Sequence, residues 1–255
     1  MYFIWHFSAA SKVLISTGYP LKSAKMTEVI DLEDSSVTCN NLEDFPWRIQ
    51  DAVGANLASR PIICGGYFKN GSDHSSEKCF VYIATFGLGW KHFVNMIDRR
   101  AGAAGIVYEN AFHIFGGYDR STSTLLQSSE IVNEEGTTTE GPQLPTSMHF
   151  HAIASINSTV SIITGGYTNN YSDQTWYFNH ASQEFQPGPN MLEARSAHSS
   201  GSVTDKDTKE KMVIIAGGYR GFSGDLDSTE MLVNGEWKTG KTHTESDICP
   251  FFVYF

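Results

Sequence analysis

No apolar run in the 255 residues approaches the roughly eighteen that a helix needs to cross a bilayer. Positive charge is also scarce: 18 lysines and arginines stand against 28 acids, a net charge of −10. Nucleic acids and anionic membranes select basic surfaces, so neither nucleic-acid binding nor membrane insertion is expected. The chain has no Gly-x-Ser-x-Gly elbow, no phosphate-binding glycine loop and no His-Glu-x-x-His, so three common catalytic routes have no motif to start from. The first ten residues lack the positive start of a secretory signal, and their apolar run is short.

What the chain has is glycine, 23 residues of it, with 13% aromatics and 40% hydrophobics, which fits an all-β globule rich in turns. The glycines are ordered. Ile162-Ile163-Thr164-Gly165-Gly166-Tyr167 is a short apolar strand ending in two glycines and an aromatic. Variants recur at Ile15-Ser16-Thr17-Gly18-Tyr19, Ile63-Cys64-Gly65-Gly66-Tyr67, Ile114-Phe115-Gly116-Gly117-Tyr118 and Ile215-Ala216-Gly217-Gly218-Tyr219. The glycine before each tyrosine falls at 18, 66, 117, 166 and 218, in steps of 48, 51, 49 and 52 residues. A constant period near fifty means stacked supersecondary units, none of which can bury both of its faces alone. Four apolar residues in a row suit a strand covered on both sides. Glycine at its end lets the backbone turn, and lets neighbouring backbone come close.

A diglycine closing an apolar strand at this period resembles the kelch repeat, one four-stranded blade of a β-propeller, and the resemblance spans about residues 4–237. It implies an all-β kelch-type propeller of about five blades, at approximately 4–46, 48–96, 100–147, 148–191 and 195–237, followed by a divergent tail at 238–255. Residues 4–9 stand as far ahead of Gly18 as 52–57 stand ahead of Gly66, and so read as a first strand. The third repeat is read to open at Gly102 and to end near 141–145. A serine or threonine followed by glutamate (Thr27-Glu28, Ser76-Glu77, Ser129-Glu130, Thr229-Glu230) precedes or opens the third strand of four repeats, and its short side chain is expected to tie the preceding loop. No arginine-bearing link precedes the first repeat, and the pattern fails after Trp237, so the propeller is read as an incomplete one.

The four cysteines are Cys39, Cys64, Cys79 and Cys249. Cys64 ends a second strand and Cys79 begins its antiparallel neighbour, which can bring the pair within disulfide range. Two independent buried thiols are the alternative. Three sequons, at Asn70, Asn157 and Asn170, fall in loops. With a disulfide they lean to an extracellular setting; a cytoplasmic one is the alternative. His149 and His151 would share one face of a strand and could form half of a metal site, but no third ligand is identifiable nearby. No metal and no cofactor are expected. Trp90, Trp176, Trp237, Phe185 and Met191 are read as packing between blades.

In a four-stranded meander, the loops between strands two and three share a face with the links between blades. Those loops differ in length and content while the strands repeat, as a scaffold displaying recognition loops would have it. The expected binding face is centred on Arg120, Tyr171, Arg220 and Phe222, with Arg100 and Arg195 nearer the axis and His149 and His198 of the links near the same face. Four arginines there would make a positive patch suited to an acidic peptide. The bland reading pairs Arg120 with Asp119 and Arg220 with Asp225. The family resemblance implies a non-enzymatic module that binds another protein or peptide. Its alternative is a galactose-oxidase-like enzyme or glycan-binding propeller with a site at the central channel.

Overall fold

The computed structural model describes residues 3–6, 12–16, 27–31, 42–69, 73–84, 88–204, 209, 211–221 and 224–240. Gly18, Phe222, Cys39, Cys249, the outer strand read at 36–41 and the tail beyond 240 lie outside the described residues. Every regular element longer than one residue among those described is a β-strand. The chain divides into two compact units, Met1–Gly141 and Pro142–Phe255.

In the first unit, β1 (Phe3–His6), β2 (Lys12–Ser16) and β3 (Thr27–Asp31) form an antiparallel sheet in chain order. Next come β4 (Ile49–Gln50), β5 (Val53–Leu57), β6 (Arg60–Cys64), β7 (Tyr67–Lys69), β8 (Asp73–Ser75), β9 (Lys78–Ile83) and β10 (Gly89–Asn95). Of these, β5, β6, β9 and β10 make a four-stranded meander, and β4, β7 and β8 a small sheet beside it. The third repeat holds β11 (Ala104–Tyr108), β12 (Ala111–Phe115), β13 (Tyr118–Asp119), β14 (Thr124–Leu125), β15 (Ser129–Asn133) and β16 (Thr138–Glu140). It departs from the sequence reading at its start, where Gly102, at φ +63°, stays outside the first strand; the outer strand closes at Glu140, next to Gly141-Pro142, because proline has no N–H for a ladder.

The second unit carries two meanders. One is β17 (Ala152–Ser155), β18 (Val160–Thr164), β19 (Thr175–Asn179) and β20 (Glu184–Pro187). The other is β21 (Ser199–Thr204), β22 (Lys211–Ala216), β23 (Thr229–Val233) and β24 (Glu236–Thr239).

The apolar second strands are covered on both faces. Ile62 and Cys64 of β6 join Phe112, Ile114 and Val132 of the next sheet in one cluster, while Ile63 between them joins Phe45, Ile49, Phe80 and Trp90 in another. In the second unit Ala154 and Ile162 meet Val213, Ile215, Leu232, Met191 and Trp237. Each Ile, Val, Leu, Phe or Met side chain among them contributes about 1.5–3 kcal/mol by leaving water. Trp90 Nε1–H donates to Thr27 Oγ1 at 3.0 Å and Trp237 Nε1–H to the Pro189 carbonyl at 2.9 Å, whereas the buried Nε1 of Trp176 has no partner among the described residues.

The diglycines are where one repeat's backbone meets the next. Gly66 N–H donates to the Arg100 carbonyl and Gly166 N–H to the Arg195 carbonyl, each at 2.8 Å. A Cβ on Gly165 would lie 2.5 Å from that Arg195 oxygen, and Gly165 has φ +59°. The second glycine faces the other way: a Cβ on Gly166 would strike the His149 carbonyl and the His151 Cβ, both within 3 Å. Two glycines in a row are thus required by two neighbours, one ahead in the chain and one behind.

Cys64 and Cys79 are directly opposed on β6 and β9, with Cα atoms 4.0 Å apart, and form a disulfide with both residues fully buried. This settles the alternative left open by the sequence. The bridge closes a separation of 15 residues. Reduction, or Cys79→Ser, is expected to lower stability by about 3 kcal/mol. Gly165→Ala should cost more than about 2 kcal/mol, because left-handed strain and a backbone clash add. Denaturant unfolding of each variant measures both.

Candidate functional site

In each of the four repeats whose link is described, the link pairs with the motif tyrosine. Gln50, Ala101, His149 and Ser196 stand opposite Tyr67, Tyr118, Tyr167 and Tyr219. The tyrosine in turn pairs with the loop that follows it, at Ser75, Leu125, Tyr171 and Asp225. Within each repeat, link and second loop therefore lie together, as the meander argument requires. The residue after each paired link position has positive φ: Asp51 57°, Gly102 63°, Phe150 53° and Ala197 53°. Three of these are not glycine, so the backbone is strained at the same place in successive repeats. Successive links are also bonded there, Gly102 N–H to the Asp51 carbonyl at 2.8 Å and Ala197 N–H to that of Phe150 at 2.7 Å.

That turn overturns the strand reading of His149-Phe150-His151. With Phe150 left-handed, the two-residue alternation fails. His149 lies half-buried in the bridge to Tyr167, while His151 is 5% exposed against Gly166.

The residue before each paired link position decides the fate of the arginines. Arg100 is fully buried, not a binding residue. Its Nη1 donates to the Gly116 carbonyl at 2.6 Å and the Ser128 carbonyl at 3.1 Å, and its Nη2 pairs with Glu130 Oε1 at 2.5 Å. Glu130 also accepts the link's own N–H groups, from Ile97 at 2.6 Å and Asp98 at 2.9 Å. Arg195 repeats the arrangement. It donates to the Gly217 and Ser228 carbonyls at 2.8 and 3.2 Å and pairs with Glu230 at 2.7 Å, which accepts from Leu192 and Glu193 N–H. Both expected axial arginines are therefore structural, and the four-arginine patch loses two members.

Register explains where the pattern Ser/Thr-Glu holds. Glu130 faces Ile114 and Glu230 faces Ile215; the residue facing Ile63 is Phe80, and that facing Ile163 is Trp176. Ser76-Glu77 thus sits three residues ahead of the true equivalent, Cys79-Phe80. The matching link positions are Ile49 and Met148, so cation and acid are replaced together by apolar residues in those two repeats. The sequence held this covariation, but only correct register displays it. At the equivalent position of the fourth repeat the short hydroxyl bonds the chain that follows: Thr175 Oγ1 donates to the Pro189 carbonyl at 2.8 Å.

The remaining site residues reach the surface. In the first unit, Arg120 stacks over the Tyr67 ring at 4.1 Å, and its N–H donates to Ser75 Oγ at 3.1 Å. Asp119 is engaged by Ser121 N–H and the Thr122 hydroxyl. In the second unit, Arg220 pairs with Glu193 at 3.5 Å, both side chains well exposed. Beside it runs a ladder of aromatic rings: His149 to Tyr167 at 5.6 Å, Tyr167 to Tyr171 at 5.3 Å, and Tyr171 to Tyr219 at 5.7 Å, each pair edge to face. Gly221 lets the Arg220 loop pass against the Tyr171 ring, where a Cβ would come within 2.9 Å. Burial lowers the His149 pKa to about 4, so this ring is neutral at pH 7.

One feature escaped the sequence reading. In the first unit, Trp47, Phe68, His74, Ser76, Glu77, Lys78 and Arg99 line an open cleft of about 340 Å³. His74 stacks on Phe68 at 5.7 Å, the Lys78 ammonium lies 5.4 Å over Trp47, and Arg99 pairs with Glu77 at 3.1 Å. Its residues come from four separate segments, and apart from Ser76-Glu77 no local motif marks them.

No protein-family model and no curated protein matches the sequence. Among solved structures, that of YjhT, a β-propeller protein, superposes with a TM-score of 0.77 at 12% identity, over 94% of this chain and 83% of its own. The likeness shows the fold: this chain is a β-propeller.

Arg100→Ala or Glu130→Ala is expected to cost about 3–5 kcal/mol, since either leaves a buried charge unpaired. Arg120→Ala should cost about 1 kcal/mol or less, as an exposed cation over a ring. Denaturant unfolding separates the two classes. Acid should also destabilise the fold. Burial, then Arg195 and His151, lower the His198 pKa to about 3. Unfolded histidine binds its proton near pH 6.5, so unfolding takes up protons between about 6.5 and 3 and stability falls as pH falls through that window. His198→Gln should reduce the pH slope of stability at pH 5 by close to one proton.

Proposed function

We propose that these repeats are of the kelch type and that the β-propeller is a non-enzymatic interaction module, taking a protein or peptide segment on the tyrosine ladder of the second unit. The observation that carries this reading is the ladder itself. Tyr167, Tyr171 and Tyr219 come from two repeats, yet their rings form one continuous row, with Tyr219 41% exposed. Tyrosine supplies large contact area at low entropic cost and keeps a polar tip for a hydrogen bond, which is why it concentrates in binding hot spots. The row stands on bridged backbone, so little order has to be imposed on binding. With His149 neutral, the charge nearby belongs to Arg220 and Glu193. Their exposed pair is weak enough to open, which lets Arg220 meet one acid of a bound segment.

The test is to capture partners from the native source on the intact chain, identify them, and titrate each against wild type and Tyr171→Ala. The variant should lose about 2 kcal/mol of binding, near thirtyfold in Kd, with its melting temperature little changed. Equal affinity of both proteins for every specific partner would overturn the reading.

A further inference from the structure

Asn157-Ser158-Thr159 forms the tight turn between β17 and β18, with all three residues exposed. The turn is built on the Asn157 side-chain oxygen. Oδ1 accepts from Thr159 N–H at 2.9 Å, from Val160 N–H at 2.8 Å and from the Thr159 hydroxyl at 3.2 Å. Main-chain bonds from Ile156 and Asn157 N–H to the Val160 carbonyl, at 2.8 and 3.1 Å, close it from the other side. All the side-chain bonds fall on Oδ1. Nδ2, the other arm of the same amide, makes no hydrogen bond among the described residues.

Glycosylation of asparagine takes place at Nδ2 and leaves Oδ1 an amide oxygen. A sugar could therefore be added here without breaking one bond of the turn. The hydroxyl two residues on, which the sequon requires, is already directed at the asparagine amide. A second and independent observation fits a setting where such transfer happens. The Cys64–Cys79 disulfide is fully buried, and disulfides form and persist in the oxidising secretory compartment and outside the cell, not in a reducing cytosol.

We infer that Asn157 is an N-glycosylation site, modified during passage through the secretory pathway. In the transfer, Nδ2 attacks the anomeric carbon of a lipid-pyrophosphate-linked oligosaccharide. The N–C bond forms, the bond from that carbon to the pyrophosphate oxygen breaks, the lipid pyrophosphate leaves, and the amide gives up one proton. No oxidant or reductant takes part.

The other sequons are built differently. Asn70 lies outside the described residues. At Asn170, the middle residue is Tyr171, held in the aromatic row, and Ser172 is 8% exposed with its hydroxyl accepting from Gln174 N–H. There Oδ1 bonds the Tyr171 N–H and not the hydroxyl residue. Asn157 also stands at the hairpin turn opposite in sequence to the link and second loop of its repeat, so a glycan on it is attached outside the ladder residues.

The experiment begins with the intact protein from its native cells. Peptide mapping before and after treatment with a glycan-releasing amidase should show the Asn157 peptide carrying a glycan, and then an aspartate at that position. Thr159→Ala, expressed in a secreting eukaryotic cell, should lose this glycan. It keeps both N–H bonds to Oδ1, so its melting temperature should stay close to that of wild type. Thr159→Ser should restore the glycan. Recovery of the native Asn157 peptide wholly unmodified would overturn the inference, as would an unchanged glycan on that peptide in Thr159→Ala.

Discussion

Much of the structure depends on one close approach, that of a link carbonyl to the first glycine of the preceding repeat. The Arg100 and Arg195 oxygens accept from Gly66 and Gly166 and occupy the space a side chain on Gly65 or Gly165 would need. Because the carbonyl must come this near, the first glycine of each of these pairs is required, and the link is fixed against the end of the second strand. The paired tyrosine follows directly, and with it the position of the variable loop.

Fixing the link also brings a side chain into the interior, and the repeats solve this in two ways. In two of them the buried residue is arginine, and a glutamate on the third strand neutralises it while taking the link's spare N–H groups. In two others the corresponding pair is apolar, Ile49 with Phe80 and Met148 with Trp176. An ion pair of this kind gains little net stability over well-packed apolar residues, although breaking it is costly. What it adds is direction. The guanidinium bonds carbonyls at Gly116 and Ser128 that no apolar side chain could reach as a donor.

The surface follows a different logic. Strands and links repeat because they share neighbours, whereas the loops after the tyrosines have no such obligation. One places Arg120 on Tyr67, while another threads Tyr171 between Tyr167 and Tyr219. Backbone bridges hold both, so chemistry can change there while the scaffold stays the same. The cleft between Trp47 and Arg99 in the first unit has the same origin, residues from separate segments meeting over a bridged sheet.

The sequence alone determined the all-β class, the double burial of the second strands and the neighbouring positions of Cys64 and Cys79. Those features arise from local periodicity and from glycine's special backbone, which are written residue by residue. Only the tertiary structure decided which way the arginines face. Arg99 and Arg100 are adjacent and chemically alike, yet one pairs with Glu77 at the surface and the other with Glu130 in the core. Likewise Ser76-Glu77 looks like Ser129-Glu130, but strand register puts Cys79-Phe80 in its place. A charge is satisfied by whatever partner register delivers, here 22 residues away for Arg99 and 30 for Arg100, and a linear pattern carries no distance at that range. The tyrosine row was hidden for the same reason: its rings belong to two repeats, and only packing makes them one surface.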